Sequence, residues 1–210
     1  MSDPIDKFFD GVSTCALCHG VGGIFVPKSN STKIGPEMPR VLILGEQPDP
    51  ESARRTGQND LTQGTQQVQR LRDFLRTAAI DESDVFYATS VMCIPGESTR
   101  RGSRPSALEM RNCVRHVEKL LSVLSPQVIV PVGHTSIQSV QWVYHDWKEL
   151  CQFILNYDIG NVLERNGVTV YPLYHTSTAT LRARPQDRQD RDWRRLGSIV
   201  ESLGSRVSRK

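Results

Sequence analysis

Short apolar runs alternate with amphipathic stretches along most of this chain, and this alternation constrains its fold more than any other feature. The pattern predicts strands over residues 40–44, 85–91, 127–132 and 168–173, and helices over 66–80, 106–124, from about 135, and 190–203. Strands that alternate with helices form a largely parallel sheet with both faces covered. We therefore expect an α/β fold of three layers, with a mostly parallel four-stranded sheet and helices on both faces.

The second of these helices has a well-defined predicted start. Ser106 is followed three residues later by Glu109, which is the spacing of a capping box. The apolar periodicity after Glu109 continues to about Leu124. This pattern predicts a helix with a fixed first turn.

The length of 210 residues and the hydrophobic content of 38% fit a single domain over residues 1–210. Glycine and proline occur throughout residues 1–39, which predicts an irregular N-terminal segment. No apolar run could span a bilayer and no export signal is present, so we expect a cytoplasmic monomer with no membrane partner. The net charge of +3 permits DNA binding without requiring it. Arginines and aspartates alternate over 182–195, which indicates mainly a solvated, ion-paired face.

Polar side chains follow the predicted strands, at the edge where parallel sheets bind ligands. Glu46 follows the first strand, Ser90 the second, His134 the third and His175 the last. Each has an ordinary alternative: Glu46 as an exposed loop residue, and either histidine as a structural one. A Glu46–His175 pair across one sheet edge favours a functional role, and His134 ranks below His175.

Four of the five cysteines have a pattern typical of metal ligands. Cys15 and Cys18 form a Cys-x-x-Cys pair, and Cys93 and Cys113 follow in the middle of the chain. Buried apolar thiols are the alternative, and Cys151 is interpreted in that way. Spacing alone does not distinguish zinc from an iron–sulfur cluster. The pair followed by histidine also matches c-type haem attachment, but that interpretation needs export and gives the two later cysteines no role.

Together these motifs resemble the uracil-DNA glycosylase superfamily, most closely its iron–sulfur branch, family 4. That branch has Cys-x-x-Cys, a strand into Gly-Glu-Ala-Pro-Gly, then Thr-Asn-x-x-x-Cys, a helix cysteine and a last strand into His-Pro-Ser. The corresponding segments are Cys15–Cys18, Gly45–Pro48, Thr89–Cys93, Cys113 and His175–Ser177. The resemblance implies a 4Fe–4S cluster held by Cys15, Cys18, Cys93 and Cys113, with zinc as the less favoured alternative. The cluster would hold residues 1–39 to the domain.

The resemblance also implies a DNA glycosylase that flips a base out of the duplex and hydrolyses its N-glycosidic bond. Glu46 would orient water and stabilise an oxocarbenium-like sugar, while His175 and the backbone N–H of Gln47 would bind the departing base. No lysine stands at a motif position, so a monofunctional enzyme is expected. The remaining implied roles are base-edge contacts by Asp60 and Ser90, DNA contacts by Arg100, Arg101, Arg104, Ser177 and Arg182, and insertion into the base stack by Leu181.

Three departures from the family 4 pattern concern the base pocket. Residues 57–61 contain no phenylalanine to stack on uracil, Ser90 replaces an asparagine and Thr176 replaces a proline. Losing an aromatic face and an amide weakens recognition of uracil. We therefore predict a modified pyrimidine, such as a modified cytosine, as the target, in phage defence or base-excision repair. A uracil-specific repair enzyme and a non-catalytic module that binds damaged DNA are the alternatives.

Overall fold

The computed structural model of the chain describes residues 4–18, 24–25, 28–29, 39–49, 58–59, 66–95 and 104–207. Its central sheet has five strands, in the spatial order β2-β1-β3-β5-β4. They are β1 Val41–Gly45, β2 Val85–Thr89, β3 Val128–Pro131, β4 Leu163–Arg165 and β5 Val168–Val170. All neighbouring strands are parallel except β4, which pairs antiparallel with β5 at one edge. The mostly parallel α/β sheet is confirmed.

The prediction of four strands was one too few, because β4 was not recognised. This strand has three residues, and its central Glu164 is exposed, so it lacks an apolar run. Its hairpin to β5 turns through Asn166 and Gly167, both with positive φ, at 51° and 81°. An Asn-Gly pair between two extended segments is a strong hairpin signal. That dipeptide was the available clue.

Seven helices and two 3-10 turns are present in the described ranges. The helices are α1 Pro4–Ser13, α2 Gln66–Thr77, α3 Ala107–Leu124, α4 His134–Val143, α5 Lys148–Cys151, α6 Leu155–Asp158 and α7 Gln186–Val207; the 3-10 turns are Glu82–Asp84 and Thr178–Arg182. The capping box is confirmed: the Glu109 backbone N–H donates to Ser106 Oγ at 3.2 Å, and the Ser106 N–H donates to Glu109 Oε2 at 2.7 Å. In these ranges, no helix is both long and apolar enough to cross a bilayer.

The core lies on both faces of the sheet because successive side chains of a strand point to opposite faces. In β1, Leu42 and Leu44 belong to one apolar cluster, whereas Val41 and Ile43 belong to the other. The first cluster joins the sheet to α1, α3 and α4, and the second joins it to α2 and α7. The three layers are therefore helices, sheet and helices.

The helix α1 departs from the expectation that residues 1–39 are irregular. Its buried face packs on α3 and contributes to the first core cluster. The apolar residues of this segment have the spacing of an amphipathic helix. The prediction missed the helix because Gly11, near its end, was interpreted as a sign of irregular structure. Its buried side chains are Ile5, Phe8, Phe9 and Val12.

Two short pairings also join the N-terminal part of the chain to the domain. Ile24–Phe25 pairs antiparallel with Ile94–Pro95, and Lys28–Ser29 pairs parallel with Gln58–Asn59. The first pairing lies directly after Cys93. Backbone hydrogen bonds therefore hold this part of the chain beside one of the predicted metal ligands.

Candidate active site

A cavity of about 520 Å³ opens at the carboxyl edge of the sheet, where the polar residues were expected to meet. The loops after β1, β3 and β5 form much of its wall, together with α6 and the segment before α7. Its lining consists of Glu46, Gln47, Pro48, Asp49, Gln67, Arg104, Gly133, His134, Leu155, Asn156, Tyr174, His175, Ser177, Ala179, Thr180 and Ala183.

Glu46 is held at this edge by the sheet itself. Its backbone carbonyl accepts the Val91 N–H at 3.0 Å, directly beyond the last paired residues of β1 and β2. The side chain is only partly buried, so its carboxylate reaches the cavity while its backbone stays fixed. A rigid backbone beneath a reactive side chain is the arrangement that precise positioning requires.

Glu46 and His175 meet around Gly133. A Cβ placed on Gly133 would lie 3.0 Å from Glu46 Oε1 and 3.5 Å from His175 Cδ2. Gly133 has φ 95° and ψ 169°, a conformation that only glycine adopts readily, and its N–H donates to the Leu173 carbonyl at 2.9 Å. The missing side chain therefore lets the carboxylate and the imidazole approach each other across the ends of two strands.

A hydrogen bond to His175 determines which tautomer its neutral ring adopts. The Ser177 backbone N–H donates to His175 Nδ1 at 3.1 Å, so a neutral ring carries its proton on Nε2. Burial lowers the pKa of His175, the Glu46 carboxylate opposes that shift, and the Arg104 guanidinium adds to it. The ring is therefore neutral near pH 7 and offers one N–H donor.

The sequence of the chain was compared with models of known protein families. The family model of the uracil DNA glycosylase superfamily matches residues 32–197. The chain belongs to this superfamily. Among curated proteins, no match to the chain is found. Membership supports a DNA glycosylase activity in general, with DNA as the substrate, while the family 4 branch stays a prediction.

The structure brings together five of the residues predicted for a uracil DNA glycosylase superfamily site. Glu46, Gln47, Arg104, Ser177 and His175 all line the cavity. Their convergence follows from the strand order, because they lie far apart in the sequence.

The other predicted site residues lie elsewhere. Ser90 is fully buried, and its hydroxyl contacts the Gly45 carbonyl at 3.0 Å, so it lies beneath the cavity rather than in its lining. Leu181 and Arg182 lie at the end of the 3-10 turn Thr178–Arg182, directly after the turn residues that line the cavity. Leu181 is half-buried and Arg182 is exposed. The predictions for Asp60, Arg100 and Arg101 lie outside the described residues.

Sequence reasoning missed a polar pair in the cavity wall. The Tyr174 hydroxyl donates to Asn156 Oδ1 at 2.8 Å, and Tyr174 packs against the small apolar cluster of Ile137, Phe153 and Leu155. Tyr174 directly precedes His175, so its position after a strand was a usable signal. Asn156 lies on the four-residue helix α6, which no periodicity could reveal.

A second missed feature holds the turn that carries Leu181. The Thr180 hydroxyl lies 2.8 Å from the carbonyl of His175 and 2.7 Å from that of Ser177. Gln189, which is 2% exposed, donates to the Arg184 carbonyl at 2.6 Å and lies 3.4 Å from Thr180 Oγ1. These contacts join the turn to α7, so the helix positions the edge of the site.

The four predicted cysteine ligands lie in one neighbourhood. Burial raises the pKa of Cys93 to about 12, with further contributions from the nearby thiols of Cys113, Cys18 and Cys15. Burial also raises the pKa of Cys113 to about 11, and Cys18 and Cys15 again contribute. Thiols that influence one another in this way lie close together, although they are far apart in sequence.

One nitrogen donor lies near each of two of these sulfurs. Asn112 Nδ2 lies 3.2 Å from Cys18 Sγ, and Arg115 Nη2 lies 3.8 Å from Cys15 Sγ. Hydrogen bonds to sulfur tune iron–sulfur clusters. Within the described ranges, no three Cys, His, Asp or Glu side chains are arranged to hold a single metal ion. The quartet provides four soft donors in one neighbourhood, and such donors suit zinc or an iron–sulfur cluster.

Proposed function

We propose that this chain is a monofunctional DNA glycosylase that hydrolyses the N-glycosidic bond of a flipped, modified pyrimidine and leaves an abasic site. The observation that carries the proposal is the convergence of Glu46 and His175 around Gly133 in the cavity. Superfamily membership supports the general reaction. The modified base and the single hydrolytic step are inferences from this chain's own residues.

The two side chains suit opposite ends of the breaking bond. As the C1′–N bond breaks, its electron pair leaves with the base, and the sugar becomes positively charged. Glu46 stabilises that charge and takes a proton from the water that adds to C1′. The Nε2–H of neutral His175 donates to the oxygen of the departing base, where negative charge develops.

The cavity wall supports a larger or more polar base than uracil. Its volume of about 520 Å³ lies within the ordinary range for small-molecule sites. The buried Ser90 brings no amide to the lining, while Asn156 and Tyr174 add an amide and a hydroxyl. A substituent on cytosine would find hydrogen-bond partners there. Both phage defence and base-excision repair could use the abasic product.

We also propose that Cys15, Cys18, Cys93 and Cys113 hold a 4Fe–4S cluster. Its role is structural, because the cluster would join the N-terminal part of the chain to α3 and to the segment after β2. The nitrogen donors of Asn112 and Arg115 beside Cys18 and Cys15 support the proposal, because hydrogen bonds to sulfur tune such clusters.

The test is a glycosylase assay on matched duplexes. Purified protein is incubated with duplexes that carry uracil, modified cytosines or no modified base, and abasic sites are detected by alkaline strand cleavage. We expect product from at least one modified-cytosine duplex and a faster rate there than on uracil. Product from uracil alone would contradict the substrate proposal, and no product on any duplex would contradict the activity.

Two variants separate catalysis from binding. We expect Glu46→Gln to lower the excision rate by about 10²–10⁴-fold and to leave DNA affinity intact. Glu149→Gln, an exposed substitution of the same kind on α5, is the control and should keep the wild-type rate. Unchanged excision by Glu46→Gln would remove Glu46 from the mechanism.

A further inference from the structure

A second cavity, of about 400 Å³, lies beside the active site and is rich in arginine. Neighbouring residues of the same two segments line the two cavities. Helix α6 contributes to the active-site cavity and the residues after it line the second one, while Ala183 lines the first and Arg184 the second. We name the second cavity the arginine pocket; its lining is Ile159, Gly160, Arg184, Arg188, Arg191, Asp192 and Arg195.

The pocket's single carboxylate is already paired. Arg184 binds Asp192 through two hydrogen bonds of 2.6 and 2.9 Å, and the Asp192 side chain is only 9% exposed. This bidentate pair is close to neutral as a unit. Asp192 is therefore not available to neutralise the other arginines of the pocket.

Two of those arginines have no partner within the described part of the chain. Arg188 and Arg195 make no ion pair and no side-chain hydrogen bond there, whereas Arg191 pairs with Asp187 at 3.1 Å. A Cβ on Gly160 would lie 3.9 Å from Arg195 Nη1, so this guanidinium reaches the chain beyond α6. The pocket thus offers two free guanidinium groups, two helical turns apart on α7.

This chemistry fits a phosphate. The planar fork of arginine matches two phosphate oxygens, and the pocket is open to solvent beside the site that takes a flipped nucleotide. A DNA strand that places one nucleotide in the active-site cavity must continue past its rim. We propose that the arginine pocket binds a backbone phosphate of the DNA strand next to the flipped nucleotide.

The inference rests on DNA being the substrate, as in the proposed function, but not on which base is excised. Its test therefore measures binding rather than excision. The affinity for an unmodified duplex is measured over a range of salt concentrations for the wild type, Arg188→Gln, Arg195→Gln and the double variant. Arg194→Gln is the control, because Arg194 is an exposed arginine of the same helix that does not line the pocket.

Each lost phosphate contact should reduce the slope of log affinity against log salt by about 0.9. We expect a reduction for each pocket variant, a larger one for the double variant, and the wild-type slope for Arg194→Gln. The same slope in the pocket variants and Arg194→Gln would overturn the proposal. Equal slopes would mean that the pocket arginines act only through the overall charge of the protein, or that they do not contact the DNA.

Truncated duplexes distinguish a DNA phosphate from a free anion. These duplexes carry one abasic-site analogue that cannot be cleaved, which fixes the position of the flipped nucleotide. A duplex shortened on one side of the analogue should abolish the difference between the wild type and the double variant, while one shortened on the other side should preserve it. Thermal stabilisation by inorganic phosphate, lost in the double variant while the DNA slope is unchanged, would overturn the DNA assignment. An enzyme that excises no tested base would still give the slopes, so the two proposals fail separately.

Discussion

Gly133 determines whether the side chains of Glu46 and His175, the proposed catalytic pair, can meet. Its backbone conformation is accessible mainly to glycine, and the space beside it is taken up by Glu46 and His175. A glycine at the end of a buried strand was visible in the sequence. Its contact with two distant side chains was not, because that contact depends on how β1, β3 and β5 are ordered.

Gly133→Ala should therefore lose both stability and activity. The strained backbone should cost about 1–3 kcal/mol in the free energy of unfolding, and the new methyl group should displace Glu46. Gly167→Ala is the matched control, since it also has positive φ but nothing lies within 4 Å of its Cβ. It should lose stability in denaturant unfolding yet keep the excision rate. Equal activity of the two variants would contradict the role of Gly133.

The titration of His175 tests the electrostatics of the pair. By NMR, the wild-type ring should titrate below the ordinary histidine value of about 6.5, because burial disfavours its charged form. Glu46→Gln should lower the pKa further by removing a stabilising negative charge, and Arg104→Gln should raise it. Shifts of the pKa in the same direction in both variants would show that one of the two charges does not act on the ring as described.

Among the secondary-structure elements, the sequence predicted those whose capping residues or apolar periodicity lie within the element itself. The predicted helix after Ser106 has the bounds Ala107–Leu124, because its capping box and apolar stripe are both local. The helices α5 and α6 have four residues each, too few for periodicity to show. Their existence depends on packing against the rest of the domain.

The close packing of α7 on α2 leads to a prediction about stability. A Cβ on Gly197 would overlap the backbone carbonyl of Ala78, just beyond the end of α2, so Gly197→Ala must push the two helices apart. We expect a loss of about 1–3 kcal/mol in the free energy of unfolding. Gly11→Ala in α1 meets nothing within 4 Å and should gain up to about 1 kcal/mol. Denaturant unfolding measures both, and a loss of equal size in each would contradict the packing argument.

At the scale of the whole molecule, the cysteine quartet joins parts of the chain that are distant in sequence. The protein purified without oxygen should show broad visible absorption and contain iron and sulfide. Cys18→Ser and Cys113→Ser should lose both signals, because each removes one ligand. Cys151→Ser is the control, since Cys151 lies on α5, outside the quartet. The interpretation of Cys151 as a buried thiol was wrong, because the helix turns this residue to the exposed surface. A colourless protein with bound zinc would contradict the cluster.

The sequence by itself determined the layered α/β fold and most strand and helix positions, and it predicted that Glu46 and His175 meet at one edge of the sheet. It could do so because burial repeats locally along strands and helices, and because polar residues after buried strands meet at one edge. Only the tertiary structure decided which residues share the cavity. In the tertiary structure Ser90 lies outside the lining, Asn156 and Tyr174 belong to it, and three arginines of α7 line a second pocket. Such contacts depend on long-range packing, for which the sequence has no local signal.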